Sequence, residues 1–333
     1  MKIPNLIFES FMALQNRITS TALLLAFIFG FSGCETDFQP DLEQAEKILV
    51  IDAWVTQEMK KQEIRVYYSK PYFDNSPIEL IQGAQVKIED MQSGQVYSFL
   101  PDQNAYSWTP QNEALGKVGN SYKLSVTIQG ETFEAIAKMG RVPAIDTITF
   151  EYKEKDLLIK SDYYSAEFLA TDPQGKGDTY WIKAFKNGQF LSKGVELNMA
   201  YDAGFSSGQS VDGKPFISTI RKDFINPLDN VEGKNGEFKP PYLPGDKIRV
   251  EIHSIDQPGY EFLYQLYYQI NRPGGFGELF SIPLANVPTN LESTKNGSQT
   301  LVAGFFNVSA VSSFEQVLTE EIAAKAKNLA NGS

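Results

Sequence analysis

The sequence predicts a mainly β protein, built as two β-sandwich domains with a short helix in the second. Three observations predict it. Short segments rich in Val, Ile, Tyr and Phe alternate apolar and polar side chains with period two, as half-buried strands do. Turn-forming clusters separate them at Pro71–Pro77, Ser93-Gly94, Pro101–Asn104 and Gly116–Asn120. The alternation then lapses over 140–148, where Pro143 cannot donate to a ladder, and restarts beyond it. With 333 residues, 42% of them hydrophobic, the chain has material for a sizeable core and is not a disordered protein.

Taken in order, residues 1–33 read as an export signal. Lys2 and Arg17 give a weakly basic start, and Arg17 alone would supply it if Met12 were the first residue. The apolar run Ala22–Phe31 has the length of a signal core and is too short for a membrane-spanning helix. Ser32-Gly33-Cys34 follows it, and Phe31-Ser-Gly-Cys34 resembles the bacterial lipobox. That resemblance makes Cys34, the only cysteine of the chain, the lipid anchor, acylated on its thiol and on the amine exposed by cleavage. Glu35 follows where an inner-membrane retention signal would place Asp. The acidic stretch Thr36–Asp41 resembles surface-export signals of Bacteroidota lipoproteins, which favours the cell-surface side of the outer membrane over its periplasmic face. Residues 34–46 read as a tether.

The N-terminal sandwich is expected over 47–139. Lys47–Val55 is a continuous apolar run, as in a strand covered on both faces. Glu63–Tyr67, Ala84–Ile88 and Gln95–Phe99 alternate. Ser121–Ile128 alternates best, with Tyr122, Leu124, Val126 and Ile128 on one face. Tyr122, just beyond Gly119, resembles the tyrosine corner of immunoglobulin-like and fibronectin-like sandwiches, whose hydroxyl closes a loop. Residues 140–148 read as a stiff connection.

A mainly β domain is expected over 149–333. Tyr180–Phe185 and Lys247–Ile255 are its clearest strands, the second with Ile248, Val250 and Ile252 on one face and Arg249, Glu251 and His253 on the other. Leu263, Leu266, Tyr267 and Ile270 recur at helical spacing, which predicts a buried helix near 260–270. Ser313-Phe-Glu-Gln316 has the form of a capping box and predicts a second helix over 314–330.

Several segments resemble one family in their order along the chain: Leu49–Thr56, Tyr72–Pro77, Gly83–Val86, Ala144–Ile148, Asp172-Pro173 before Tyr180-Trp181, Pro244–Asp246, Ile255-Asp256 and Gly304–Phe306. Together they are similar to the Bacteroidota outer-membrane lipoproteins of domain-of-unknown-function family 4249. The resemblance implies an accessory role beside a TonB-dependent outer-membrane receptor and supplies no catalytic residues. It also implies a final strand where the capping box predicts a helix.

Composition narrows the chemistry. A formal charge of −11 argues against a nucleic-acid partner, since Lys and Arg carry phosphate affinity. One Cys and one His leave no disulfide framework and no His/Cys zinc cluster, and any Ser-His-Asp triad would have to use His253. The strand parity of His253 makes it a surface histidine beside Glu251. Asp172–Asp178 and Asp202–Gly208 carry carboxylates near glycines, as some calcium loops do, but Lys176 and missing ligands make them solvated turns. Glu89-Asp90 and Glu320-Glu321 read as solvated charges. No cofactor and no metal site is expected. Asp146-Thr147-Ile148 resembles the O-glycan acceptor sites of exported Bacteroidota proteins, with Thr147 as acceptor. The expected function is non-catalytic binding or assembly beside a TonB-dependent transporter. Its alternatives are a carbohydrate- or peptide-binding adhesin and a hydrolase using carboxylates alone.

Overall fold

The computed structural model describes residues 46–71, 74–234, 236–274, 277, 281 and 285–332. The export signal, Cys34 and nearly all of the tether lie outside the described residues. The protein is mainly β. Its strands are β1 Leu49–Thr56, β2 Gln62–Tyr68, β3 Gln85–Asp90, β4 Val96–Asp102, β5 Ala105–Trp108, β6 Ser121–Ile128, β7 Glu131–Lys138, β8 Ile145–Lys153, β9 Tyr163–Ala170, β10 Thr179–Lys186, β11 Gln189–Phe190, β12 Asn198–Tyr201, β13 Lys247–Ile255, β14 Glu292–Ser293, β15 Val302–Ser309 and β16 Val311–Val317. Among the described residues three α-helices accompany them: α1 Ser218–Lys222, α2 Gln257–Ile270 and α3 Glu320–Ala330.

The first lobe is one nine-stranded sheet in the order β14-β7-β6-β3-β4-β5-β2-β1-β15. It turns corners where a strand changes partner. β2 pairs with β1 through Arg65–Tyr68 and with β5 through Gln62–Ile64. β15 returns into contact with β7, so the sheet nearly closes as a barrel. Inside lie Ile51, Ile64, Ile88, Tyr106, Tyr122, Leu124 and Phe133, joined by Phe306 and Val308 from β15. The Tyr122 hydroxyl accepts the Lys117 amide at 2.6 Å and closes the loop before β6, as the tyrosine-corner resemblance predicts.

β15 corrects the expected domain boundaries. It runs parallel to β1, Leu49 opposite Val302 through Thr56 opposite Ser309. The first lobe therefore draws its last strand from the far end of the chain. A parallel partner cannot come from a hairpin, and no local signal joins segments this far apart.

In the second lobe β10 and β13 pair along their length, with β16 beyond β13 and β11 and β12 beside β10. The β8–β9 hairpin, α1 and α3 cover their inner face around Phe150, Phe168, Tyr180, Phe216, Tyr242 and Val250. Only Ala310 separates β15 from β16, so one stretch of chain passes from the first sheet to the second. It is fixed there by the Ser254 amide on the Ala310 carbonyl at 2.9 Å and the Ala310 amide on Ser254 Oγ at 2.8 Å.

Two element boundaries differ from expectation. The helix expected over 314–330 is a strand to Val317 and a helix only from Glu320, capped by Thr319, whose Oγ1 accepts the Ile322 amide at 3.3 Å. Ser313 instead lies opposite Glu251, because a full ladder with β13 outweighs one local cap. The connection expected over 140–148 ends at 144, and Ile145 already pairs in β8. The helix expected near 260–270 is α2. Asp256 caps it by accepting the Gly259 amide at 2.9 Å.

Candidate functional site

The outer face of β1 carries Val50, Asp52, Trp54 and Thr56, alternating with the core residues Leu49, Ile51, Ala53 and Val55. On β2, Tyr67 lies opposite Val50 and Arg65 opposite Asp52. The outer face of β10 carries Trp181, Lys183 and Phe185, and β13 sets His253, Glu251 and Arg249 against them in that order. These outer faces meet across one cleft between the lobes. Its polar chamber holds ≈700 Å³ and its apolar chamber ≈330 Å³, and Asp52, Trp54, Trp181 and Phe190 line both.

Aromatic rings form the wall where the lobes touch. Trp54 meets Trp181 edge to face at 5.1 Å and stacks on Phe305 at 5.5 Å, with Phe262 of α2 at 4.8 Å from Phe305. Leu263, Leu266 and Ile270 of α2 line the apolar chamber behind them.

In the polar chamber Asp52, Lys183, Arg249, Glu251 and His253 are half-buried or buried, whereas Lys60, Lys61, Glu63 and Arg65 are exposed. Glu251 accepts from His253 Nε2 at 2.9 Å on one oxygen, while its other oxygen lies 2.8 Å from Arg249 Nη1 as an ion pair without hydrogen-bond geometry. Although burial pushes it upward, the His253 hydrogen bond and the Arg249 charge hold the Glu251 carboxyl below its ordinary value. Arg249 stacks on Phe185 at 4.2 Å, and Lys183 Nζ sits 3.8 Å from the Trp181 ring. Burial pushes Lys183 down to about 8, against the pull of Glu251 and Asp52. Burial raises Asp52, partly offset by Arg65 and Lys183.

His253 is a correction. It is buried at 4% exposure, not a surface residue. The parity reading is right about which strand face carries it, but that face meets the other lobe instead of water. Burial, with the Lys183 charge, brings its pKa down to about 4, so at neutral pH a neutral ring donates Nε2–H to Glu251. An unfolded histidine takes up its proton near 6.5, so between the two values the unfolded chain binds more protons. The associated stability is complete above about pH 6.5 and is lost as pH falls toward 4, which amounts to roughly 2–3 kcal/mol between pH 7 and 4.5. Urea midpoints across that range are expected to fall, and His253→Asn to flatten the fall. An equal slope in the variant would remove His253 as the cause.

The acidic loops are also corrected. Asp172 and Asp202 are buried, and with Asp212 their carboxylate oxygens lie within 4.8 Å of one another. Chain groups engage each of them: Tyr180 Oη and the Gly213 amide on Asp172, the Gly177 and Asp178 amides on Asp202, and the Gly175 amide on Asp212. Arg141 clamps the neighbouring Asp178 with Nε at 2.8 Å and Nη2 at 2.6 Å. The cluster ties three loops together. Asp90 is likewise no solvated charge. It is buried, accepts the Gln92 and Ser93 amides and Asn120 Nδ2, and organises the turn after β3. Thr147 is half-buried in β8, next to exposed Asp146.

The cleft residues Asp52, Arg65, Lys183, Trp54 and Trp181 escape sequence reasoning. A faint signal exists, since Asp52 and Lys183 are charges inside runs that otherwise read as core strands.

A family model, described as Domain of unknown function (DUF4249), matches residues 35–315. This chain belongs to the DUF4249 family. The matched span holds the first lobe and both walls of the cleft and ends within β16, so the cleft is part of the DUF4249 region of the chain. No curated protein matches the sequence. Among the described residues, no helix is long and apolar enough to cross a membrane.

Proposed function

We propose that this DUF4249 chain is an outer-membrane lipoprotein, anchored through acylated Cys34 and facing the cell surface. In this reading it binds or assembles beside a TonB-dependent β-barrel receptor and does not catalyse. The observation that carries the binding reading is the cleft, an aromatic wall beside a charged floor and shaped like a ligand site. Glu251 and His253, the pair best suited to acid–base work, are committed to each other and to Arg249.

Two neighbouring loops of the second lobe suit a receptor contact. The Phe238 amide donates to the Leu158 carbonyl, which joins the loop after β8 to the loop before β13. Leu157 is 88% exposed there, and Leu158 and Leu228 are exposed beside the same junction. Exposed leucines gathered on joined loops mark contact surfaces more often than scattered ones do.

Pull-down from solubilised outer membranes tests the reading. The full chain is expected to recover a β-barrel protein. Trimming the loop tip between Asn230 and Phe238, which bridge across it, is expected to weaken recovery several-fold while sparing buried Tyr242. Recovery of no β-barrel, together with turnover of a glycan or peptide that Asp202→Asn abolishes, would favour the carboxylate hydrolase. The adhesin alternative draws on another place. Tyr97 and Trp108 meet edge to face at 5.0 Å in a hollow of ≈680 Å³ with Gln95, Gln111 and Asn112, a pairing of rings and amides that suits sugars. Retention on a glycan array that Trp108→Ala removes would favour it.

A further inference from the structure

We propose that the inter-lobe cleft binds a small apolar monocarboxylate, its anionic head between Arg65 and Lys183 and its apolar body against Trp54, Phe305 and α2. This names a ligand class for the binding reading above and rests on it.

Charge complementarity selects the head. Most cations in the polar chamber already have a carboxylate in contact: Lys60 has Glu58, Lys61 has Glu63 and Asp102, and Arg249 has Glu251. Arg65 and Lys183 form no such contact among the described residues; Asp52 acts on both, while Glu251, already paired with Arg249, acts most strongly on Lys183. Over the whole chamber the charges balance, since Lys61 carries two acids, but at this spot exposed Arg65 and half-buried Lys183 stand over the single carboxylate of Asp52, a local surplus of one positive charge. A ligand carboxylate would neutralise it. A cation would add to it.

Geometry selects the body. Asp52 lies on the boundary between the chambers, since it lines both, so a head at Arg65 and Lys183 sits beside the aromatic wall. The apolar chamber, ≈330 Å³, is at the small end of the roughly 300–1,000 Å³ typical of ligand sites, which suits a short chain or a bicyclic ring and not a large lipid. Lys183 is held over Trp181 rather than by an acid, so its ammonium is positioned without being consumed.

Binding carries a pH signature. The groups around Lys183 are Asp52 and Arg65 from the first lobe, Glu58 and Lys60 from the loop after β1, and Glu251 from β13, whose charge Arg249 offsets. His253 is neutral across the range that matters. A lysine near 8 is charged at pH 7 and loses its proton above 8, so affinity for a carboxylate falls as pH rises through that value.

Trp54 and Trp181 line the cleft and report on it directly. With the full chain purified in unacylated form, octanoate and 1-naphthylacetate are titrated against tryptophan emission, with octanol and octylammonium as comparisons. The two carboxylates distinguish an aliphatic from an aromatic ligand. At least one is expected to saturate at pH 7 and to bind ten-fold or more tighter than octanol, with octylammonium weaker still. Lys183→Gln and Arg65→Gln are expected to cost about ten-fold each, and Lys183→Arg to abolish the loss above pH 8. Each variant is compared by thermal midpoint with the parent. Octanol binding as tightly as octanoate would overturn the proposal on the unaltered protein, whatever the variants do. So would a preference for octylammonium, saturation by neither carboxylate, or full affinity in a normally folded Lys183→Gln chain. The receptor pull-down uses the opposite surface chemistry, exposed leucines, so loss of one result leaves the other standing.

Discussion

Gly304→Ala is expected to destabilise the protein by on the order of 3–5 kcal/mol and to open the first lobe. Gly304 lies on β15 opposite Ile51 of β1, at φ +95°, a backbone conformation that side chains with a Cβ strain to adopt. A Cβ built there would sit 2.1 Å from the Ile51 carbonyl oxygen and 2.7 Å from its carbon. Those are backbone atoms of a central strand, so no side chain can rotate away to make room. The strain of the dihedral, about 1–3 kcal/mol, adds to the overpacking, about 1–3 kcal/mol. Relief would require β15 to leave β1, which would take Phe306 and Val308 out of the core and Phe305 off the cleft wall. Gly297→Ala is the control. Its φ is +73°, but nothing lies within 4 Å of the added carbon, so its cost is expected to stay near 1 kcal/mol. Urea unfolding of both variants checks the difference. A Gly304→Ala midpoint equal to that of Gly297→Ala would mean that β15 is not seated on β1.

Cys34→Ala is expected to move the protein from the membrane pellet to the soluble fraction, an all-or-none change under the proposed anchoring. In that proposal the thiol is the attachment point for diacylglycerol, and alanine has no atom to take its place. Each buried methylene adds about 0.8 kcal/mol, and one acyl chain alone holds a protein only reversibly, so losing all of them leaves no lipid anchor. Fractionation and fatty-acid labelling of the full chain and its variant check it. A Cys34→Ala chain that still labels and still pellets with outer membrane would sink the lipobox reading.

Much of the fold was legible because it is local. Tyr122, Leu124, Val126 and Ile128 repeat every second residue, and the structure buries all four in β6. The parity of Lys247–Ile255 also held: Ile248, Val250 and Ile252 face the second core. The turn glycine before β6 and the hydroxyl of Tyr122 pointed to a closed loop, and the hydroxyl closes it. The tail shows how a local signal fails. Ser313–Gln316 satisfies the form of a cap, yet seven residues of ladder with β13 are stronger than two capping bonds.

The sequence by itself determined the mainly β class, the family, the two alternating faces of each strand and the absence of a second cysteine or histidine. Only the tertiary structure decided what each polar face meets. Period two says that Arg249, Glu251 and His253 share a side of β13; it cannot say whether water or a second sheet lies beyond them. Here the second sheet does, because β15 carries the chain back to β1 and brings the outer faces of β1 and β10 together. Asp52 and Arg65 already face each other across β1 and β2, and only their meeting with Lys183 depends on that return. Alternation is a property of neighbours along the chain, whereas burial and charge pairing belong to neighbours in space.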